Sequence, residues 1–151
     1  MLKARRTSMW RNRYEISNDA TPIAVWDGNS WTSGGRFELD GHAYRIGANG
    51  WGTRYTMTDS RDAVLAEAER VGRKQWRVHA GGRTYEFKRD SLWRGSDEQL
   101  MDGETVIGRI KRTSAWRGDV AAELPGLPLP VQIFVLGVVV TNWNNQAAAA
   151  A

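Results

Sequence analysis

The sequence contains no cysteine and few prolines, and it has a single long apolar run. Without cysteine there are no disulfides, no thiolate catalysis, no cysteine zinc site and no palmitoylation, and a reducing compartment is permitted. The basic N-terminus is followed by no apolar segment, so the sequence predicts no secretory signal peptide there. From these absences we expect a cytoplasmic protein.

The one long apolar run is Leu127–Trp143, and Gln132 is its only polar side chain between Val131 and Val140. A segment that is apolar on all sides is buried either in protein or in lipid. Residues 131–143 number 13. That is fewer than the roughly 20 residues needed to cross a bilayer and nearer to the length of a buried core helix.

Periodicity alone does not separate helix from strand for this run. Val138–Val140 are β-branched and mildly disfavour a helix, whereas Pro130 suits a first helical turn. We predict a core helix over residues 129–143, in which Gly137 allows a surrounding wall to come close.

The composition is that of one ordinary soluble domain, with 151 residues of which 41% are hydrophobic and 25% charged. Eight tryptophans and 16 glycines indicate a β-rich chain whose surfaces are filled by large rings. The net charge of +4 permits an anionic partner without requiring one.

Short alternating segments separated by turn signals fill most of the chain. The clearest hairpin joins Gln75–His79 to Thr84–Lys88 across a glycine pair, and another joins Arg36–Leu39 to Ala43–Ile46 across an Asp-Gly turn. The sequence contains ten to twelve such strands at even spacing, which predicts a closed antiparallel barrel or a sandwich.

Three segments are less clear. Ser60–Gly72 fits a helix capped by Asp59 or Ser60, and also a strand with Val64 and alternate residues on one face; intrinsic propensity favours the helix. Residues 1–10 are basic and are predicted to be flexible, and residues 147–151 are predicted to be a frayed tail.

A tryptophan-rich meander closed by an apolar C-terminal helix after a leucine–proline stretch resembles the Tubby C-terminal-like superfamily. This superfamily includes the Tubby domain, the plant LURP-one-related proteins and the phospholipid scramblases. The resemblance covers about residues 11–146, and it is carried by Phe37–Ile46, Gln75–Phe87, Thr105–Arg112 and Leu127–Trp143.

The resemblance implies a mainly β fold, a closed antiparallel barrel of about twelve short strands around the buried hydrophobic helix. It also implies a single domain over residues 11–146 and favours a strand at Val64–Val71. Tubby domains bind phosphoinositides, so a role at membrane lipids is implied. The chain lacks the cysteine-rich segment of the scramblases and any carboxylate between Leu124 and Ala151, which argues against calcium-dependent scrambling.

No motif in the chain names a reaction. His42 and His79 are predicted in a hairpin turn and a strand, where a surface histidine is the simpler interpretation than a catalytic base. The glycine-rich stretch Gly47–Gly52 lacks the lysine and following helix of a phosphate-binding loop. We therefore predict a non-enzymatic protein with no cofactor and no metal.

Tryptophan stands directly before arginine at four places. Such pairs suit a membrane interface and also single-stranded nucleic acid, although strand alternation alone would place the ring inward and the arginine in water. The four pairs are Trp10-Arg11, Trp76-Arg77, Trp93-Arg94 and Trp116-Arg117.

The sequence thus predicts a binding or tethering module at anionic phospholipid or phosphoinositide surfaces, peripheral to the membrane. Three alternatives remain. The first is a C-terminal membrane anchor, since residues 127–143 reach the lower length limit of a span. The second is a single-stranded nucleic-acid module, which is not favoured, and the third is an enzyme, for which no sequence feature names a reaction. The residues expected to contact lipid are Arg5, Arg6, Arg11, Arg13, Arg94 and Arg117.

Overall fold

The computed structural model describes residues 1–8, 12–28, 34–90, 97–114 and 117–150, which form twelve strands and one helix. The elements are β1 (Leu2–Arg6), β2 (Arg13–Asn18), β3 (Thr21–Gly28), β4 (Gly35–Leu39), β5 (His42–Ala48), β6 (Tyr55–Thr58), β7 (Val64–Glu69), β8 (Gln75–Ala80), β9 (Arg83–Arg89), β10 (Glu98–Asp102), β11 (Thr105–Arg112), β12 (Val120–Glu123) and α1 (Leu129–Ala150).

The twelve strands form one closed antiparallel barrel in which each strand pairs with its neighbours in chain order. The ring closes because β1 pairs on both sides: Leu2 lies opposite Asn18 of β2 and opposite Ala122 of β12. Closure leaves no long strand edge free at this junction. The predicted barrel is confirmed, and the sandwich alternative is wrong.

Helix α1 fills the inside of the barrel. Val131 and every residue from Ile133 to Trp143 are buried, so no face of this stretch meets solvent. A helix that is apolar all round has to be enclosed, and the closed ring of strands provides the enclosure. The predicted core helix is therefore confirmed.

The helix is longer than predicted. It continues past Trp143 to Ala150, with residues 145–150 exposed, whereas the sequence predicted an end at residue 143 and a frayed tail over residues 147–151. Alanine has the highest helix propensity, so the alanine run prolongs the helix beyond its apolar part. Ala151 lies outside the described residues.

The prediction of a flexible N-terminus over residues 1–10 is wrong for Leu2–Arg6, which form β1. Leu2 and Ala4 are buried while Lys3 and Arg5 are exposed, the alternation of a strand with one face in a core. Without β1, the edge of β12 would lack its second partner. Residues 9 and 10 lie outside the described part.

Val64–Glu69 is a strand, not the helix that intrinsic propensity favoured. Ala66 and Ala68 face the barrel interior and are buried, and β7 pairs with β6 and β8. Two rows of cross-strand hydrogen bonds and a buried face outweigh the helix propensity of alanine and glutamate.

The barrel has two ends that differ in what closes them. We call the end at which α1 begins the entrance end; Pro128 lies there near Gly81 of the β8–β9 turn. We call the other end the exit end. There Asn144 Nδ2 of α1 donates to Asn12 Oδ1, in the β1–β2 connection, at 2.8 Å and to Tyr14 Oη of β2 at 3.3 Å. Polar side chains thus close the exit end.

Candidate functional site

Three adjacent strands carry a concentration of positive charge on the barrel surface. Strands β11, β12 and β1, with the connection between β11 and β12, hold seven basic and two acidic side chains, the latter Asp119 and Glu123. This excess is larger than the net charge of +4 of the whole chain, so the rest of the molecule is close to neutral. We call this surface the basic wall: Lys3, Arg5, Arg6, Arg109, Lys111, Arg112 and Arg117.

Two lysines form the centre of the basic wall. Lys3 of β1 and Lys111 of β11 lie opposite Ala121 of β12, one on each side. Neighbouring strands are about 4.8 Å apart, so the two lysine backbones are separated by roughly 10 Å. Within the described residues, neither ammonium has a carboxylate within 4.0 Å. Both charges are therefore available to an anion.

Three other members of the wall have side-chain contacts within the protein. Arg5 Nη2 lies 3.4 Å from Glu15 Oε1, and Arg6 Nε donates to the carbonyl oxygen of Ser8 at 3.1 Å. The Arg112 guanidinium lies 4.7 Å from the ring centroid of Trp143, a cation–π contact that ties the wall to α1. These contacts orient the three arginine side chains, whereas the two lysines have no ion pair within the described residues.

The structure brings together only part of the predicted lipid-binding set. Arg5, Arg6 and Arg117 belong to the basic wall, and Arg13 lies on the neighbouring strand β2, opposite Asp27 of β3. The other two, Arg11 and Arg94, lie outside the described residues, as do the rings of three of the four Trp–Arg pairs.

The remaining pair, Trp76-Arg77, follows strand alternation. Trp76 is buried in the core and stacks on Phe87 at a centroid distance of 4.4 Å, while Arg77 Nε points outward to Glu69 Oε1 at 3.0 Å. In this pair the ring fills the core and does not form a surface anchor.

Sequence reasoning missed Lys3, Arg109, Lys111 and Arg112. Alternation alone places Lys3 with Arg5 on one face of β1 and Arg109 with Lys111 on one face of β11. What the sequence does not show is that β1 and β11 flank the same strand, because this depends on pairing across more than one hundred residues.

Another groove lies on the opposite side of β2 and has a volume of about 800 Å3. It is lined by three arginines, which include Arg36 and Arg45, and by three carboxylates, which include Asp27. Arg36 Nη2 lies 3.6 Å from Asp27 Oδ2, and Arg45 is bonded to Asp62. Its charges balance, so this groove has no preference for anions.

The histidines lie on the outer surface. His42 is exposed at the start of β5, and the His79 ring lies 3.1 Å from Glu69 Oε1 and 3.0 Å from Thr84 Oγ1. The hydrogen bond from His79, with the charges of Arg77 and Arg54, holds the pKa of Glu69 below its ordinary value. This network links β7, β8 and β9 and explains the position of His79 without catalysis.

A buried carboxyl group, Glu98, was not anticipated from the sequence. Glu98 is 3% exposed, accepts a hydrogen bond from Trp76 Nε1 at 3.0 Å, and lies 3.9 Å from Arg89 Nε. Burial raises its pKa to about 7, more than the indole hydrogen bond and Arg89 lower it. Glu98 is therefore a titrating group inside the core.

In the part of the chain that the structure describes, no group of three or more histidine or carboxylate side chains is placed to hold a metal ion. Within the same residues, no helix combines the length and the apolarity that crossing a bilayer requires.

No family model matches the sequence, and neither a curated protein nor a solved structure gives a significant match. The resemblance to the Tubby C-terminal-like superfamily therefore stays a prediction. A function has to be inferred from the charged residues of the basic wall.

Proposed function

We propose that this protein is a non-enzymatic module that binds anionic phospholipid surfaces, phosphoinositide-bearing membranes included, through the basic wall. The observation that carries the proposal is the charge distribution: seven basic and two acidic side chains on three adjacent strands of an otherwise nearly neutral barrel. The predicted Arg5, Arg6 and Arg117 belong to this surface, and the lysine pair extends it.

Lipid headgroups suit this surface better than a single small anion does. The backbones of Lys3 and Lys111 are roughly 10 Å apart and neither side chain has a carboxylate partner within the described residues, so the two ammonium groups can each reach a separate phosphate. Each lysine or arginine near an anionic leaflet contributes on the order of 1 kcal/mol to binding. The resemblance to a superfamily with phosphoinositide-binding members supports the same proposal.

The experiment is flotation of the purified protein with neutral and with anionic vesicles, at low and at high salt. We expect flotation only with anionic vesicles and only at low salt. The reason is that screening reaches about 10 Å at 0.1 M salt and about 3 Å at 1 M.

The decisive variant is the double substitution Lys3→Glu with Lys111→Glu, which should weaken binding at least about thirtyfold. Its matched control is Arg73→Glu with Lys74→Glu, which makes the same charge change on two exposed residues that follow β7. Strand β7 lies on the far side of the barrel, six strands from β1 in either direction. Equal loss in both variants would show a dependence on net charge alone and would overturn the site.

Two further results would overturn the proposal itself. Flotation with every vesicle at every salt concentration would place the apolar segment in the bilayer, and absence of flotation under all conditions would remove the membrane role. The first result would also contradict the enclosure of α1 by the strands.

A further inference from the structure

The entrance end of the barrel contains a cavity that the basic wall does not use. It lies between the first turn of α1, at Pro130 and Val131, and the inner side chains of Tyr44, Met57 and Tyr85. Its volume of about 420 Å3 is in the range of roughly 300–1,000 Å3 that small-molecule sites occupy. The mouth of a barrel is one of the usual places for such a site.

Much of the lining of this cavity is apolar. Met57 is fully buried, and Tyr44 and Tyr85 pack against the core while remaining partly exposed. Pro128, Pro130 and Val131, at the start of α1, line the same cavity. An apolar molecule entering here would cover interior side chains that water now reaches, which is a favourable change.

Among the described residues, those that line the cavity carry only positive charge. Arg83, the first residue of β9, lines it, and no aspartate or glutamate does. Across the ranges that the structure describes, Arg83 has no carboxylate within 4.0 Å. An amphipathic anion therefore fits this lining better than an uncharged or a cationic molecule of the same shape.

We infer that the cavity at the entrance end binds a small amphipathic monocarboxylate of the fatty-acid type. Its chain lies between Tyr44, Tyr85 and Val131, and its carboxylate lies at Arg83. This site is separate from the proposed membrane surface, since neither Lys3 nor Lys111 lines it. The two proposals can therefore fail independently.

The test compares three probes that share one chain: octanoate, 1-octanol and octyltrimethylammonium. Each is titrated into the isotopically labelled full chain, and the backbone amide signals of Gly81, Arg83 and Gly126 are followed by NMR. We expect octanoate to bind most tightly and octyltrimethylammonium least. We also expect the shifts to cluster at these residues, with none at Lys3 or Lys111.

Two neighbouring residues provide a matched pair of variants. Leu65 lines the cavity and is 36% exposed, whereas Val64 is 62% exposed and does not line it. Leu65→Glu places a negative charge beside the carboxylate and should weaken octanoate binding about tenfold or more. Val64→Glu makes the same chemical change outside the cavity and should alter the affinity less than about twofold.

Arg83→Gln serves as a second variant, because it adds no charge and alters only an exposed side chain. It should weaken octanoate binding roughly two- to fivefold, as expected for a solvent-exposed ion pair, and leave 1-octanol binding unchanged. Vesicle flotation of both cavity variants should match the wild type, and octanoate binding by the Lys3→Glu, Lys111→Glu variant should be retained.

The inference is overturned if octyltrimethylammonium binds as tightly as octanoate, or if the amide shifts cluster away from the entrance end. Equal losses in Leu65→Glu and Val64→Glu would overturn it as well. Should Leu65→Glu melt below the wild type, Arg83→Gln and the shift map decide the outcome.

Discussion

The indole ring of Trp26 occupies the space that a side chain at Gly137 would need. A Cβ atom at Gly137 would overlap three carbon atoms of that ring. Strand β3 and helix α1 come into contact here at a distance that only glycine allows. The sequence predicted that Gly137 lets a wall approach the helix, and the structure identifies Trp26 as the part of the wall that does so.

The first prediction is that Gly137→Ala destabilises the protein, although alanine is the better helix former by about 1 kcal/mol. Overlap with a buried ring should cost about 1–3 kcal/mol beyond that gain. The free energy of unfolding from urea titrations is the measurement.

Gly47→Ala is the control for this substitution. Gly47 has no atom within 4 Å of an added Cβ and no positive φ, so its substitution should change the free energy by less than about 1 kcal/mol. Equal stability of Gly137→Ala and the wild type would show that moving Trp26 aside costs no more than the gain in helix propensity.

The second prediction concerns the strand that was expected to be a flexible end. Leu2 is 1% exposed, so Leu2→Ala should lower the free energy of unfolding by about 2–4 kcal/mol. Lys3→Ala, next to it but on the outer face, should change the free energy by less than about 0.5 kcal/mol. A wild-type melt for Leu2→Ala would mean that β1 contributes little to the barrel in solution.

The third prediction is a pH dependence of stability caused by Glu98. Because the folded-state pKa is raised to about 7 from 4.5, the folded protein holds a proton that the unfolded chain has released between these values. Stability from this group is therefore fully present below about pH 4.5 and falls as the pH rises to about 7, by on the order of 3 kcal/mol.

Glu98→Gln should remove this fall, since glutamine is neutral throughout and keeps an acceptor for Trp76 Nε1. The variant should match the wild type near pH 4 and exceed its free energy of unfolding near pH 8. Glu104→Gln, on an exposed carboxylate, controls for the loss of an acid. Parallel curves for wild type and Glu98→Gln from pH 4 to 8 would contradict a buried titrating Glu98.

The fourth prediction ranks two cations of the basic wall. Arg5 is paired with Glu15, whereas Lys3 has no acidic partner within the described chain, so Lys3→Ala should weaken binding to anionic vesicles more than Arg5→Ala does. Dissociation constants from vesicle sedimentation at low salt measure the difference. A larger effect of Arg5→Ala would show that the membrane competes for the arginine and breaks its pair with Glu15.

Local signals in the sequence predict the hairpins well. The Asp40-Gly41 turn places Arg36 opposite Arg45 by simple counting outward from the turn, and the structure has that register. The apolar core helix was predictable for the same kind of reason, since its burial follows from composition along one segment.

What could not be predicted depends on pairing between distant segments. The burial of Leu2 and the neighbourhood of Lys3 and Lys111 need the ring to be closed and in register. The position of Glu98 beside Trp76 needs the register of three successive strands, β8, β9 and β10. A short segment such as Val64–Glu69 likewise takes its conformation from its neighbours and not from its own propensity.

The junction of β1 with β12 also determines when this chain can fold during its synthesis. The first strand remains without one of its partners until Val120–Glu123 has been made, and all twelve strands precede the helix that fills them. A fragment that ends before α1 lacks the buried helix residues that fill the barrel, so we expect the nascent chain to expose its alternating apolar residues until the helix emerges. We therefore expect a fragment that ends at residue 126 to aggregate after its release from the ribosome. Addition of the helix as a separate peptide should restore folding only if the peptide is present before the fragment aggregates.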